Sequence, residues 1–194
     1  MKNAGIKMSN MLRFESRYDF RAWLEKNFDS QRECWLAVRR GAAKGVNTFG
    51  YLDALEEALC FGWIDSTVKK GTDGLVFQRF CPRRPRSKWS ELNKERCRRL
   101  ECLGMMTDAG RAVLPDMSKE GFSIDEDILQ RLKSDGNLWE NFCKLPDLYR
   151  RVRIDTIQIK RKQPELFRRR LEKFIENTRR GILFGKWNDG GRLS

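Results

Sequence analysis

Residues 51–81 read YLDALEEALCFGWIDSTVKKGTDGLVFQRFC, and this run sets the fold class. In its opening part Tyr51, Leu52, Ala54, Leu55, Ala58 and Leu59 share one helical face, with Asp53, Glu56 and Glu57 opposite. The spacing predicts an amphipathic helix that turns its acids to water, opened by Gly50 and closed by Gly62. Two strand-forming runs follow, 63–69 and 75–81, joined by Gly-Thr-Asp-Gly, which is turn chemistry for a hairpin. A helix that feeds directly into a hairpin belongs to the α+β class.

Upstream, residues 1–14 lack periodicity and read as a flexible tail. Phe20, Trp23, Leu24 and Phe28 recur at helical spacing behind Ser16 or Asp19 as caps, and 33–40 reads as a strand ending at Gly41. The loop 41–50 is basic and contains glycine, but it lacks the G-x-x-x-x-G-K-[ST] order that cradles a nucleotide phosphate, so it reads as a connector. Downstream, Pro82 and Pro85 stop the second hairpin strand. Ser87 is the expected cap of a helix over 88–103, and Thr107 that of a short helix toward Met117. From residue 121 the pattern is wholly helical, with a capping box at Ser123 and Glu126 and helices expected over 124–134, 138–144, 147–161 and 164–180. The expected architecture is α+β, a small antiparallel or mixed sheet of about three strands packed with helices, followed by a helical C-terminal unit. The boundaries are a tail over 1–14, an α+β domain over 15–120, a helical module over 121–182 and a tail over 183–194, with 117–124 as linker.

A chain of 194 residues, 40% of them apolar, can bury a core without staples. It contains no histidine, and its six cysteines form no C-x-x-C pair, which excludes Cys2His2 and Cys3His zinc sites. The reading is no metal, no cofactor and reduced thiols. The first twenty residues hold no apolar run of signal-peptide length, and no stretch is long enough to span a bilayer, so a cytoplasmic protein without membrane insertion is expected.

The net charge of +13 is unevenly spread. Residues 79–101 carry +6 and 144–173 carry +7, while the stretch between them, 102–143, carries −4, so an anionic partner should prefer the two basic blocks. Exposed helix faces also collect arginine and lysine merely for solvation, which is the commoner reason for any one such residue.

The motifs EEALCFGWID at 56–65, RFCPRRPRSKWSELN at 79–93, MTDAG at 106–110 and LPDLYRR at 145–151 resemble the YdeI/OmpD-associated, or bacteriocin-protection, family. The basic amphipathic helix after Pro164 is similar to the helical module that names that family, and the resemblance covers about residues 16–182. It implies a protection phenotype and an association with an outer-membrane porin. It assigns no catalytic residue, nucleophile or cofactor.

In the helix after Ser87, Trp89, Leu92, Cys97, Leu100 and Leu103 form an apolar stripe, and Asn93 and Arg96 fall beside it, turned inward. A buried guanidinium without a partner costs about 3–5 kcal/mol, so Arg96 must meet a carboxylate, carbonyls or a ligand anion. Asp65 is the expected protein partner, since it alternates with Trp63 on one face of its strand. The pair either locks sheet to helix or lines a polar pocket. Arg83, Arg84 and Arg86 precede a helix N-terminus, where free N–H groups favour an anion. The candidate ligand-binding residues are Trp63, Asp65, Arg79, Arg83, Arg86, Trp89, Asn93 and Arg96, with the indoles as an apolar wall and the arginines as charge. Cys60 and Cys81 lie next to the motif, and a thiolate near Arg79 or Arg83 would be reactive, but Cys60, at a helix end against Phe61 and Trp63, reads as an inert core thiol.

Three functions fit this inventory. The first is a stress-protection or bacteriocin-protection-like protein that binds an anionic small molecule. The second is an enzyme acting on a phosphorylated or carboxylated metabolite, with Asp65 as acid or base. The third is a nonspecific binder of nucleic acid or an acidic protein through the basic C-terminal helices, bearing Arg168, Arg169 and Lys173. The sequence does not decide whether a reaction is catalysed.

Overall fold

A computed structural model describes residues 11–40, 49–71 and 74–193 of the chain. Residues 1–10 of the expected tail, 41–48 of the connector and the middle of the hairpin turn therefore lie outside the described residues. The chain forms two compact units, Met1–Ser87 with Cys97–Pro115, and Lys88–Arg96 with Asp116–Ser194.

The first unit is a mixed sheet in the order β1-β2-β4-β3 with helices packed on it. The strands are β1 (Met11–Leu12), β2 (Cys34–Ala37), β3 (Trp63–Lys70) and β4 (Val76–Pro82). The class is α+β as expected, but there are four strands rather than about three. Strand β1 is two residues long and pairs in parallel with Trp35 and Leu36, too short to leave a periodic trace. The hairpin β3–β4 pairs Trp63 with Pro82 and Asp65 with Phe80. Between Asp65 and Val68 the register shifts, because three steps along β3 oppose only two along β4, from Phe80 to Gln78. Such a bulge breaks alternation and re-aims the side chains around it. Cross-strand partners share a face, so Asp65, Phe80 and Cys34 lie together, on the side where Phe80 meets Phe20 of α1 (Arg17–Asn27) at 5.6 Å. The other face carries the cluster Trp35, Ala37 and Phe77. Helix α1 begins with a capping box made by Ser16 and Asp19.

Helix α2 (Tyr51–Cys60) departs from the solvent-facing acidic stripe that its periodicity predicts. Glu56 and Glu57 are buried, the latter 1% exposed. Arg17 and Arg21 of α1 reach Glu57 at 2.6 and 2.9 Å, and Glu56 takes Arg17 at 3.3 Å and Arg99 at 3.1 Å. The helix is enclosed on its polar side by arginines from elsewhere in the chain, which hydrophobic spacing does not register.

Helix α3 (Glu91–Cys102) starts three residues later than expected. Arg86 sits in the left-handed region at φ 60°, and Ser90 rather than Ser87 accepts the Asn93 N–H, at 3.2 Å. Helix α4 (Asp108–Arg111) is capped by Thr107, whose hydroxyl also donates to the Cys60 carbonyl at 2.6 Å. Its Gly110 passes so close that a Cβ there would stand 2.2 Å from that same carbonyl oxygen.

The second unit contains α5 (Glu126–Lys133), α6 (Gly136–Lys144), α7 (Asp147–Gln158) and α8 (Pro164–Arg179). Ile128, Leu132, Phe142, Tyr149, Ile154 and Phe174 form its core. The expected capping box at Ser123 is absent. Asp125 occupies the cap position, and its amide donates to Gln158 Oε1 at 2.9 Å. Residues past α8, read from sequence as a tail, pack inward: Phe184 and Trp187 meet Tyr149 edge-on, and Leu193 is buried with Leu148 and Val152.

Gly110→Ala should lower the stability of the first unit by about 3 kcal/mol, the cost of overpacking against backbone that cannot yield. Urea denaturation followed by circular dichroism measures it.

Candidate functional site

The bulge in β3 gathers an unusual set of polar side chains. Asp65 accepts a hydrogen bond from the Tyr51 hydroxyl at 2.7 Å, which joins the first residue of α2 to the sheet. The guanidinium of Arg40 lies 3.9 Å from the centroid of the Tyr51 ring and donates to Oε1 of Gln78. Gln78 is fully buried, and its Nε2 donates to the carbonyls of Thr67 and Arg79, both at 3.2 Å. An interior glutamine so fully engaged holds the bulge in shape.

Beside this set lies the turn after β4. The Arg83 amide donates to the Gly62 carbonyl at 2.9 Å, which pins the turn to the start of β3. The Arg83 side chain is 9% exposed. Burial pushes its pKa down, and the nearby Cys97 and Asp65 oppose that shift without overcoming it. Arg84 and Arg86 are exposed, and the Ser87 amide closes the turn onto the Arg84 carbonyl at 3.1 Å. A left-handed arginine costs about 1–2 kcal/mol relative to glycine, and strain of this kind concentrates at binding sites.

Of the residues singled out from sequence, Asp65, Arg83 and Arg86 belong to this end of the hairpin. Trp63 does not offer a wall: it is 1% exposed, donates from Nε1 to the Phe28 carbonyl at 3.0 Å, and meets Trp23 edge-on. Arg79 projects from the opposite face of the sheet to Asp65, because neighbouring positions on a strand alternate. There it pairs with Glu33 at 2.6 Å and donates to Ser66 Oγ at 3.1 Å.

Trp89, Asn93 and Arg96 belong to the second unit. Trp89 is half-buried. Arg96 is turned inward as helical geometry requires, 8% exposed, and it meets a carboxylate, but that carboxylate is Asp189 rather than Asp65. The pairing is bidentate at 2.6 and 2.7 Å, and Nη1 donates to Asn93 Oδ1 at 2.6 Å. Asp189 is held at φ 52°, a conformation that aspartate tolerates better than most residues. Each of the three nitrogens of Arg96 donates within the protein, so this guanidinium serves as a structural tie.

Sequence reasoning missed Tyr51, Arg40 and Asp189. Tyr51 was legible in part, since a tyrosine on a buried helix face needs a partner for its hydroxyl. Asp189 was not, because nothing local marks a turn aspartate as the mate of a residue so far up the chain.

Among the described residues no group of three or more cysteine, aspartate and glutamate side chains could hold a metal ion. Burial, reinforced by the charge of Glu57, pushes the Cys60 thiol up to about 12, and burial raises Cys34 further. Alkylation of the native protein with iodoacetamide at pH 8 should therefore label exposed Cys102 and Cys143 first and leave Cys34, Cys60 and Cys97 unmodified until denaturant is added. Peptide mass spectrometry reads the pattern. Asp189→Ala should destabilise the second unit by about 3–5 kcal/mol, since it strands a buried guanidinium, and urea titration measures that loss.

Comparison with known families divides the chain in two. Residues 12–113 match the model described as a domain of unknown function, DUF8412. Residues 122–181 match the model described as bacteriocin-protection, YdeI or OmpD-associated. No curated protein and no solved structure matches the chain. Three of the four sequence motifs fall within the first match, and LPDLYRR with the helix after Pro164 falls within the second.

Proposed function

Since this chain belongs to the DUF8412 family and carries a bacteriocin-protection, YdeI or OmpD-associated module, we propose that it is a protection protein whose first unit binds an anionic small molecule at the end of the β3–β4 hairpin. Arg83 and Arg86 supply the positive charge, and Asp65, fixed by Tyr51, orients the ligand. The observation that carries this reading is Arg83. It is buried near Asp65, in a turn held with Arg86 in the left-handed conformation. A ligand anion at that turn would offset the strain that Arg86 carries. The proposed location is cytoplasmic; among the described residues no helix is long and apolar enough to cross a membrane.

An enzyme using Asp65 as acid or base on a phosphorylated or carboxylated metabolite would occupy the same site. Asp65→Asn separates the two, since it spares binding under the first reading and abolishes turnover under the second. Nucleic acid on the C-terminal helices has less in its favour. Arg151, Arg161, Arg168 and Arg179 already hold carboxylates of their own unit, which removes much of the free charge that their sequence block suggests.

A thermal-shift screen with nucleotides and sugar phosphates tests the proposal, because a ligand that binds only the folded state raises its melting point. Arg86→Gly should relieve the left-handed strain and leave the unliganded melting point unchanged or raised, by about 1 kcal/mol of stability. The same variant should weaken ligand affinity about tenfold, as expected for loss of one charge-assisted contact. Unchanged affinity in Arg86→Gly and in Arg83→Met would rule the site out.

A further inference from the structure

The second unit satisfies nearly every cation that it takes from water. Arg151 is held by Glu91, Glu95 and Asp147 at 2.9, 3.1 and 2.8 Å, Arg96 by Asp189, and even the more exposed Arg161 by two aspartates. One place departs from that pattern. Arg153 of α7 and Lys173 of α8 both approach the ring of Phe184, with the guanidinium carbon at 4.4 Å and Nζ at 5.1 Å from its centroid. Arg170, one turn before Lys173, donates to the Thr156 carbonyl at 2.5 Å and adds its charge to the environment of Arg153. Among the described residues, none of these three side chains forms an ion pair with a carboxylate. The Nε–H of Arg153 is buried and meets no hydrogen-bond acceptor there.

The aromatic ring does not account for this arrangement. One ring attracts cations, but it offers no acceptor to a guanidinium N–H, and two cations drawn to the same ring repel each other. Burial pushes the Arg153 pKa down, and the positive charge of Arg170 pushes the same way against the opposing Tyr149. The surrounding backbone is nevertheless shaped to keep the guanidinium there. Gly185 has φ 78°, and a Cβ at that position would fall 2.5 Å from Arg153 Nη1, so the guanidinium lies against main chain that only glycine leaves open. Phe184 is anchored in turn by its amide, which donates to the Tyr149 hydroxyl at 3.4 Å.

We propose that Arg153 and Lys173 at the Phe184 ring, with Arg170 near Arg153, form a binding site for a phosphate monoester, distinct from the site in the first unit. Three cations without a carboxylate match a dianion, and the terminal N–H groups of a guanidinium suit phosphate oxygens. Lys173 is exposed and Arg153 half-buried, so the phosphate reaches the site from solvent while the rest of its molecule stays outside.

The test is a titration of the full chain with inorganic phosphate at pH 8 and constant ionic strength, followed at the arginine Nε–Hε resonances in ¹H–¹⁵N spectra. The Arg153 signal is assigned by its loss in Arg153→Lys. It should shift saturably at phosphate concentrations on the order of millimolar or lower, and chloride at matched ionic strength should not reproduce the shift. Lys173→Gln and Arg170→Gln, which keep Arg153 in place, should each raise the half-saturating concentration about tenfold, whereas Lys162→Gln should not. An Arg153 resonance that ignores phosphate, that responds equally to chloride, or that saturates identically in Lys173→Gln and Arg170→Gln overturns the proposal. Signals from Arg83 and Arg86, assigned by their loss in Arg83→Lys and Arg86→Lys, report on the site in the first unit, so failure here is distinct from failure there.

Discussion

A guanidinium removed from water needs an anion beside it, and where this chain supplies that anion from its own carboxylates governs how each unit is built. In the first unit Glu57 is 1% exposed and holds two arginines of α1, while Glu56 next to it holds Arg17 and Arg99. Helix α2 is thereby fixed on its polar side as firmly as on its apolar one. In the second unit Arg151 gathers Glu91, Glu95 and Asp147 around one buried head, and Arg96 draws the segment after α8 inward by gripping Asp189 in a fork. Removal of one partner from such a pair costs far more than an exposed ion pair contributes, so these ties are constraints rather than ornaments of the surface.

The same rule gives meaning to the charge imbalance. With 40 basic and 27 acidic residues the chain cannot match every cation. Part of the acidic block at 102–143 is used within the second unit, where Asp125 and Asp127 hold Arg161 and Asp135 holds Arg179. Most of what is left over lies on the surface, where solvation suffices. Arg83, buried in the first unit, and Arg153, half-buried in the second, both have a pKa pushed down by burial. Backbone in the left-handed region lies near each, at Arg86 and at Gly185, and these are the two places proposed for a ligand anion.

Much of the fold was legible because it follows periodicity and punctuation. The hairpin, α2, the Ser16 cap of α1 and the four C-terminal helices all announce themselves through spacing, glycine and proline. Strand β1 was not legible, since two residues carry no period. Nor was the start of α3, where Ser90 rather than the expected Ser87 accepts the Asn93 amide. The site was legible in its residue types but not in its pairings. Arg96 was expected to be buried beside the stripe of α3 and to meet a carboxylate, carbonyls or a ligand anion; it is buried, and it meets a carboxylate. Which carboxylate depended on a turn at residue 189 that no local pattern ties to it. The acids of α2 show the same limit from the other side. Hydrophobic spacing sends Glu56 and Glu57 to water, and only the arginines of α1 and α3 explain why they are inside.

The most direct measurement is a crystal structure of the full chain soaked in tungstate, a heavy tetrahedral dianion located by its anomalous signal. This account predicts two ordered anions, one at Arg83 and Arg86 and one among Arg153, Arg170 and Lys173, with the Arg96–Asp189 fork unbroken. Tungstate bound only at exposed lysines, or displacing Asp189 from Arg96, would contradict it.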